Sequence, residues 1–260
     1  MAALDHVVIN TMRNMDAAAE CFEALGFMLT PRGYHSLGSI NHLMMTPGPY
    51  LELIGVPENG PQRQELLDSG YGLDGLVVHS VDADADFARL TAAGLPAQLP
   101  GTFSRPISID GKTLEVRFRT VRFPAKTFPG GRVYFCQHLT PELVWREEWL
   151  RHPNGFCGID RFVIESPDAE TDARRFVAMF PSHAARSGNE WLLALEGCRV
   201  HLLAASKPSF ASVDLVFESL DEIERRALAL SEVVWWRKGP HDATITIPAL
   251  NVDFTCRSRR

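Results

Sequence analysis

The stretch Leu4–Phe27, LDHVVINTMRNMDAAAECFEALGF, decides how the whole chain is read. It opens on an apolar, β-branched run from Leu4 to Ile9, the composition of a strand that packs on a half-buried pleated surface. After a polar turn, Ala18, Cys21, Phe22 and Leu25 recur at three- and four-residue spacing, one face of a helix that Gly26 ends. Three short strand-like pieces follow, near Met28, at His42–Thr46 and at Tyr50–Val56. The turns between them carry Pro31, Gly33, Gly38, Pro47, Gly48 and Pro49. The order is strand, helix, three strands.

The same order returns three times. GIDRFVIESPDAETDARRFVAMF (158–180) lays Asp160 over Asp5 and Arg161 over His6, and its last strand, RVHLLAA, sets His201 where YLELIG sets Glu52. SVDLVFESLDEIERRALAL (212–230) and NVDFTCRS (251–258) align Asp214 with His6 and Asp253 with Glu52. The remaining copy is looser. It runs from DGLVVHSVDADADFARLTAAGL (74–95) through SRPISIDGKTLEVRFRTVRF (104–123) to RVYFCQHLTP (132–141), and places Leu76 at the His6 position and Gln137 at the Glu52 position. A shift of one residue at that last strand would turn His138 or Cys136 inward instead, because alternate side chains face opposite ways.

Four such units predict an α+β protein of two curved mixed-sheet domains, since one βαβββ unit alone leaves an open edge and an apolar face. The expected division is residues 1–140, a linker helix over 141–157, and a second, degenerate domain over 158–260. In the linker, Trp145 and Trp149 stand four apart, as on one face of a domain-docking helix. Adjacent units are expected to pair; pairing of unit one with unit four is the other arrangement, and would gather His6, Glu52, Asp214 and Asp253.

Composition bounds the function. Hydrophobic residues make up 45% and charged residues 22%, and the formal charge of -6 is spread in mixed sign, which argues against a nucleic-acid groove or an anionic membrane surface. No run approaches the roughly 18 apolar residues of a membrane span. Five scattered cysteines without a CxxC pair suit reduced thiols in the cytoplasm, and no signal peptide is read at the N-terminus. There is no GxSxG, HExxH or GxxxxGK motif. The expected partner is a small molecule, with a homodimer left open.

LDHVVI, HSLGSINHLMM followed by PYLELIGVP, and SRPISIDGKTLEVRF resemble the glyoxalase-like domain of the vicinal oxygen chelate superfamily, over about the first 140 residues. The resemblance implies a cup formed by each pair of units. In it, first and last strands supply ligands to a divalent metal that chelates adjacent substrate oxygens. His6 and Glu52 occupy two such positions, and His138 is the candidate third ligand. A carboxylate between Leu51 and Leu53 is independently costly unless a cation or several donors satisfy it. Histidine plus glutamate suits zinc, nickel, cobalt, manganese or iron. The resemblance thus implies a metal-dependent lyase or isomerase acting on a small oxygenated metabolite, with Glu52 moving a proton. The alternative is a metal-free protein that sequesters a small compound, favoured by Leu76 and Arg161, which cannot ligate.

His35, Asn41, Arg105, Arg117 and Gln137 are the candidate substrate contacts. His35 and Asn41 flank Gly38 near the expected mouth, or serve only to satisfy a turn. Arg105, Arg117, Arg119 and Arg122 could clamp a carboxylate or phosphate, or form a solvated face. In the second half, Arg161 among Asp214, Asp253 and His201 reads as an internal salt-bridge network. The four-unit layout also resembles the extradiol dioxygenases, but Arg161 and Asp214 stand where two iron-binding histidines would be.

Overall fold

Four repeats of one element order build the chain, and the computed structural model describes residues 2–128, 130–180 and 184–259 of it. The first unit runs β1 (Leu4–Met12), α1 (Met15–Ala24), β2 (Gly33–His35), β3 (Ser39–Met44) and β4 (Tyr50–Gly55). A short helix, α2 (Gln64–Ser69), leads into the second unit: β5 (Gly72–His79), α3 (Ala83–Ala92), β6 (Gly101–Ile109), β7 (Lys112–Val121) and β8 (Arg132–His138). The third comprises β9 (Phe156–Ser166), α4 (Ala169–Met179), β10 (Ala184–Ser187), β11 (Glu190–Leu195) and β12 (Cys198–Ala204). The fourth comprises β13 (Ser209–Phe217), α5 (Asp221–Ala227), β14 (Val234–Arg237), β15 (Asp242–Ile247) and β16 (Val252–Ser258). Two of the helices begin at a side chain that takes up free amides. Asp82 accepts from the amides of Asp84 and Ala85 ahead of α3, and Asp168 accepts from that of Thr171 ahead of α4.

The strands form two eight-stranded mixed sheets of identical order, β2-β3-β4-β1-β5-β8-β7-β6 and β10-β11-β12-β9-β13-β16-β15-β14. Each is two units joined through their first strands, β1 antiparallel to β5 and β9 antiparallel to β13; within each unit the first and last strands run parallel. Adjacent units therefore pair, and the arrangement of unit one with unit four does not occur.

The helices lie on one face of each sheet, and those faces share a single core. Ala18 and Phe22 of α1, Leu90 of α3, Phe176 of α4 and Ile223 of α5 pack with Val7, Leu76, Phe162 and Val213. Phe22 meets Phe254 and Phe27 meets Phe217, each pair with ring centres 6.2 Å apart, so the halves interlock through aromatic edges. The other face of the first sheet curls into a cup whose lips nearly meet: the Ser36 amide donates to the Ser104 carbonyl at 2.8 Å. The cup has its own apolar lining, including Val8, Leu43, Tyr50, Ile54, Val77 and Phe118.

The linker corrects an expectation. In place of a helix, Pro141–Leu143 and Glu147–Trp149 each make a single 3-10 turn, with Arg146 extended between them. From these turns Val144, Trp145 and Trp149 all pack toward the cup lining. Cys157 and its neighbours already belong to β9. No helix of the described residues is long and apolar enough to cross a membrane.

Candidate metal and substrate site

A bulge creates the site. In the pairing of β1 with β5, Leu4 faces Val78 and His6 faces Val77, so Asp5 is the extra residue. A bulge of this kind lets two successive side chains share a face. Asp5 and His6 consequently both point into the cup, at 3% and 4% exposure.

His6 is held on every side. Its Nδ1 lies 2.5 Å from Asp5 Oδ1, and its Nε2 lies 3.4 Å from Glu52 Oε2 and 3.4 Å from the Tyr134 hydroxyl. The ring stacks on Tyr50 at 4.7 Å. Glu52, reached from β4, also accepts a 2.7 Å hydrogen bond from Asn41 Nδ2. Asp5 gathers two more imidazoles, His138 Nε2 at 3.0 Å and His79 Nδ1 at 3.1 Å. Trp145 closes over His138 with ring centres 4.7 Å apart.

Charge follows from this packing. Burial alone would push the His6 imidazolium down, but the Asp5 and Glu52 carboxylates outweigh it and hold it up at about 9. Burial would likewise raise the Glu52 carboxyl, yet the His6 contact, with His35 and Asn41, brings it down to about 2. Asp5 is buried too, and its three imidazole partners hold it well below the usual carboxylate range. His35 is lowered to about 3, by burial and, against the pull of Glu52, by Arg105, Arg63 and Arg122; it is a neutral ring. Its Nδ1 pairs with Ser39 Oγ at 2.9 Å, and its edge meets Phe103.

The donor set suits a divalent ion. Two ligand atoms on a tetrahedral ion with bonds of about 2.05 Å stand about 3.3 Å apart, and His6 Nε2 and Glu52 Oε2 are separated by 3.4 Å. The carboxylate on the remote nitrogen of His6 is the usual support of a metal-binding imidazole. Beside them, Asp5, Cys136 and His138 present one atom each within 4.8 Å of one another, a second possible ligand cluster. Burial and nearby carboxylates push the Cys136 thiol well up, so it is a poor thiolate donor.

The expected residues fall into two groups. His6, Glu52, His138, His35, Asn41 and Arg105 face the cup. Arg117 and Gln137 do not. Arg117 is exposed on the outer side of β7, and Gln137 turns outward, bonding the Val81 carbonyl and the Ala83 amide at the start of α3. The register of the second unit is the one shifted by a residue: Val77 stands across from His6, and Tyr134, Cys136 and His138 face inward, while Leu76 belongs to the helix-side core. Asp5, His79, Tyr50, Tyr134 and Arg63 were missed as site residues, whereas Arg122, one of the four arginines read as a possible clamp, does line the cup. The recurrence of Asp5 as Asp160 was the one visible hint.

In the second half, Arg161 Nη2 donates to Asp214 Oδ1 at 3.1 Å and Arg257 Nε donates to Oδ2 at 2.8 Å. The expected network exists, but Asp253 is exposed and bonded to Thr246, and His201 pairs with Glu190 at 2.9 Å.

The whole chain is similar in structure to a hypothetical protein from Staphylococcus aureus, with TM-score 0.76, 14% identity and full coverage of both chains. It is also similar to a variant of 4-hydroxymandelate synthase from Streptomyces coelicolor, with TM-score 0.60, 12% identity, and coverage of 100% of this chain and 93% of that one. A xylose isomerase-like TIM barrel/4-hydroxyphenylpyruvate dioxygenase fusion protein matches at TM-score 0.61 and 13% identity, over 99% of this chain and 48% of that chain. Identities this low speak for the fold alone. No curated protein matches the sequence. A family model described as glyoxalase-like domain matches residues 4–180, and the chain belongs to that family.

Proposed function

We propose that the protein is a divalent-metal-dependent enzyme, a lyase or isomerase acting on a small oxygenated metabolite in the first cup. The observation that carries this reading is the 3.4 Å approach of His6 Nε2 to Glu52 Oε2, with the far side of the imidazole fixed by Asp5. His6 and Glu52 would hold the ion, of the zinc, nickel, cobalt, manganese or iron class, which when bound supplies a Lewis acid toward adjacent substrate oxygens. Asp5 would keep one proton of the imidazole on Nδ1, so that Nε2 becomes a ligand once an ion displaces the proton it carries in the metal-free protein. Asn41 pins Oε1 of Glu52, so Oε2, which faces His6, would move a proton between substrate carbons only when not held by the ion. Tyr50, Phe118 and Trp145 wall off bulk water. Val77, across from His6, offers no ligand, so the coordination rests on fewer protein atoms than the family resemblance implies.

The experiment is metal analysis of protein purified without added metal, then titration with nickel, zinc and iron. About one equivalent is expected in the wild type, and a large loss in His6→Ala and in Glu52→Ala. Unchanged metal content in both variants would sink the reading. A second reading has its own support: with a proton on His6, Asp5 and Glu52 each already have a cationic partner inside the chain, as a metal-free binding protein requires. That reading predicts no equivalent of metal in the wild type and ligand binding that chelator leaves intact.

A further inference from the structure

Arg105 is the buried group that the chemistry above does not use. It lies on β6 with Phe103 and Ile107 on either side at two-residue spacing, so its side chain enters the cup with theirs. Only 1% of it is exposed. Among the described residues its Nε and Nη2 have no hydrogen-bond partner. A buried, unpaired guanidinium is among the most costly things a fold can contain. Room has been made for it nonetheless: a Cβ on Gly33 would sit 2.6 Å from Arg105 Cδ, and would also run into the Asn41 side chain that holds Glu52.

Among the described residues no neighbouring acid is bonded to Arg105. Asp5 and Glu52 share His6. Arg63 and Arg122 both reach Glu65 of α2 at the rim, and Arg132 is paired with Asp74. The unsatisfied atoms are also informative in themselves. Nε and Nη2 form one edge of the guanidinium plane, the two-donor fork that matches both oxygens of a carboxylate. The cavity of the cup, whose lining includes His6, Asn41, Glu52, Phe103 and Phe118, encloses about 30 Å³, the room of a small polar group, and Arg105 stands behind that lining.

We propose that Arg105 is the anion-recognition residue of the cup, with Arg63 and Arg122 adding positive potential at the rim, and that the protein's ligand is a small organic acid. Its carboxylate would sit on the Arg105 fork, and its remaining functional groups would extend past Asn41 toward His6 and Glu52. An unpaired guanidinium calls for an anion, and its planar fork for a carboxylate. This deepens the proposed function by naming the substrate class, and it is testable on metal-free protein.

The test is thermal unfolding and calorimetry of the chelator-treated full chain at constant ionic strength. The probes are pyruvate, oxalate and benzoate against pyruvamide, benzamide, phosphate and chloride. At least one carboxylate is expected to raise Tm by several degrees over chloride, with the amides inert. Arg105→Met should weaken that binding roughly 10- to 100-fold while melting no lower than wild type in chloride, because it removes an unpaired buried charge. Arg105→Lys keeps the charge, loses the fork and should also weaken binding, whereas Arg117→Gln, outside the cup, should bind as wild type does. No carboxylate outperforming chloride, a shift that survives Arg105→Met, or a response to phosphate alone would each overturn the proposal. Because metal is absent throughout, these outcomes are independent of whether His6 and Glu52 bind an ion.

Discussion

The two halves share a strand order and differ in what they do with the concave face. In the first, the lips close, Trp145 and α2 cover the opening, and polar groups point inward with functions left over: a His–Glu pair at 3.4 Å and a guanidinium fork without a partner. In the second, no backbone hydrogen bond links β10 to β14 among the described residues. There the side chains spend their polarity on one another, Arg161 and Arg257 on Asp214, Arg199 on Asp160, and His201 on Glu190. One fold thus yields an available site and one whose charges are paired with each other, Arg161 Nε lying 3.0 Å from Asp214 Oδ2 without a formed hydrogen bond. Availability depends on whether buried polar groups are fully paired within the chain, not on the sheet that carries them.

The sharpest way to break this contrast is to unpair the second cup. Asp214 is fully buried between two guanidiniums. Asp214→Ala should cost about 2–4 kcal/mol in urea unfolding, in the lower part of the range for a broken buried pair because both arginines reach water. Metal and carboxylate binding in the first cup should be unaltered. If they fall with it, the two cups are not independent.

The first cup should instead reveal itself through pH. In metal-free protein His6 is held up at about 9 against its ordinary 6.5. The stabilisation this gives is complete below about 6.5 and disappears as pH rises through 9. Glu52, held at about 2 against its ordinary 4.5, contributes stability present above 4.5 and lost as pH falls toward 2. Stability should decline by on the order of 2–3 kcal/mol between pH 6.5 and 9. His6→Gln should flatten that limb; a limb of equal size in the variant would remove His6 as its source.

Much of this was legible in the residues. The unit order followed from β-branched runs alternating with three- and four-residue helical spacing, and the pairing of adjacent units followed from exposed edges. What escaped has specific causes. Leu76, Val77 and Val78 of β5 are all completely buried, so apolar alternation carries no phase there, and the inward face was assigned one residue off. The bulge that turns Asp5 inward is a pairing irregularity between distant strands and leaves no local signature. Arg105 and Arg117 looked alike as arginines of one hairpin; what separates them is strand parity, which puts Arg105 on the face of Phe103 and Ile107 and opposite Val116, and Arg117 between Val116 and Phe118 on the other face.

Asp5 itself sharpens the contrast further, because Asp160 is its counterpart. Asp5→Asn keeps the shape and removes the carboxylate from three imidazoles, and should lower metal affinity about 10- to 100-fold, as loss of a ligand-orienting partner does. Asp160→Asn removes only a surface partner of Arg199, and should change stability by less than about 1 kcal/mol. Isothermal titration with zinc and a melting curve decide both.

The smallest expected effect is the most discriminating. Arg161 aligns with His6, so Arg161→His gives the second cup the residue that the metal reading rests on. The change should nevertheless create no measurable metal site. Arg257 would still hold Asp214 at 2.8 Å, and His201 would still be tied to Glu190, so the nearest oxygens and nitrogens are already spoken for. Stability should move by less than about 1 kcal/mol, because a partly exposed arginine contributes little beyond its paired neighbour. Zinc or nickel binding by Arg161→His with the His6→Ala background removing the first site would mean that strand position alone makes a ligand. Absence of binding would place the difference between the halves in the competing arginines, and adding Arg257→Met should then begin to release it.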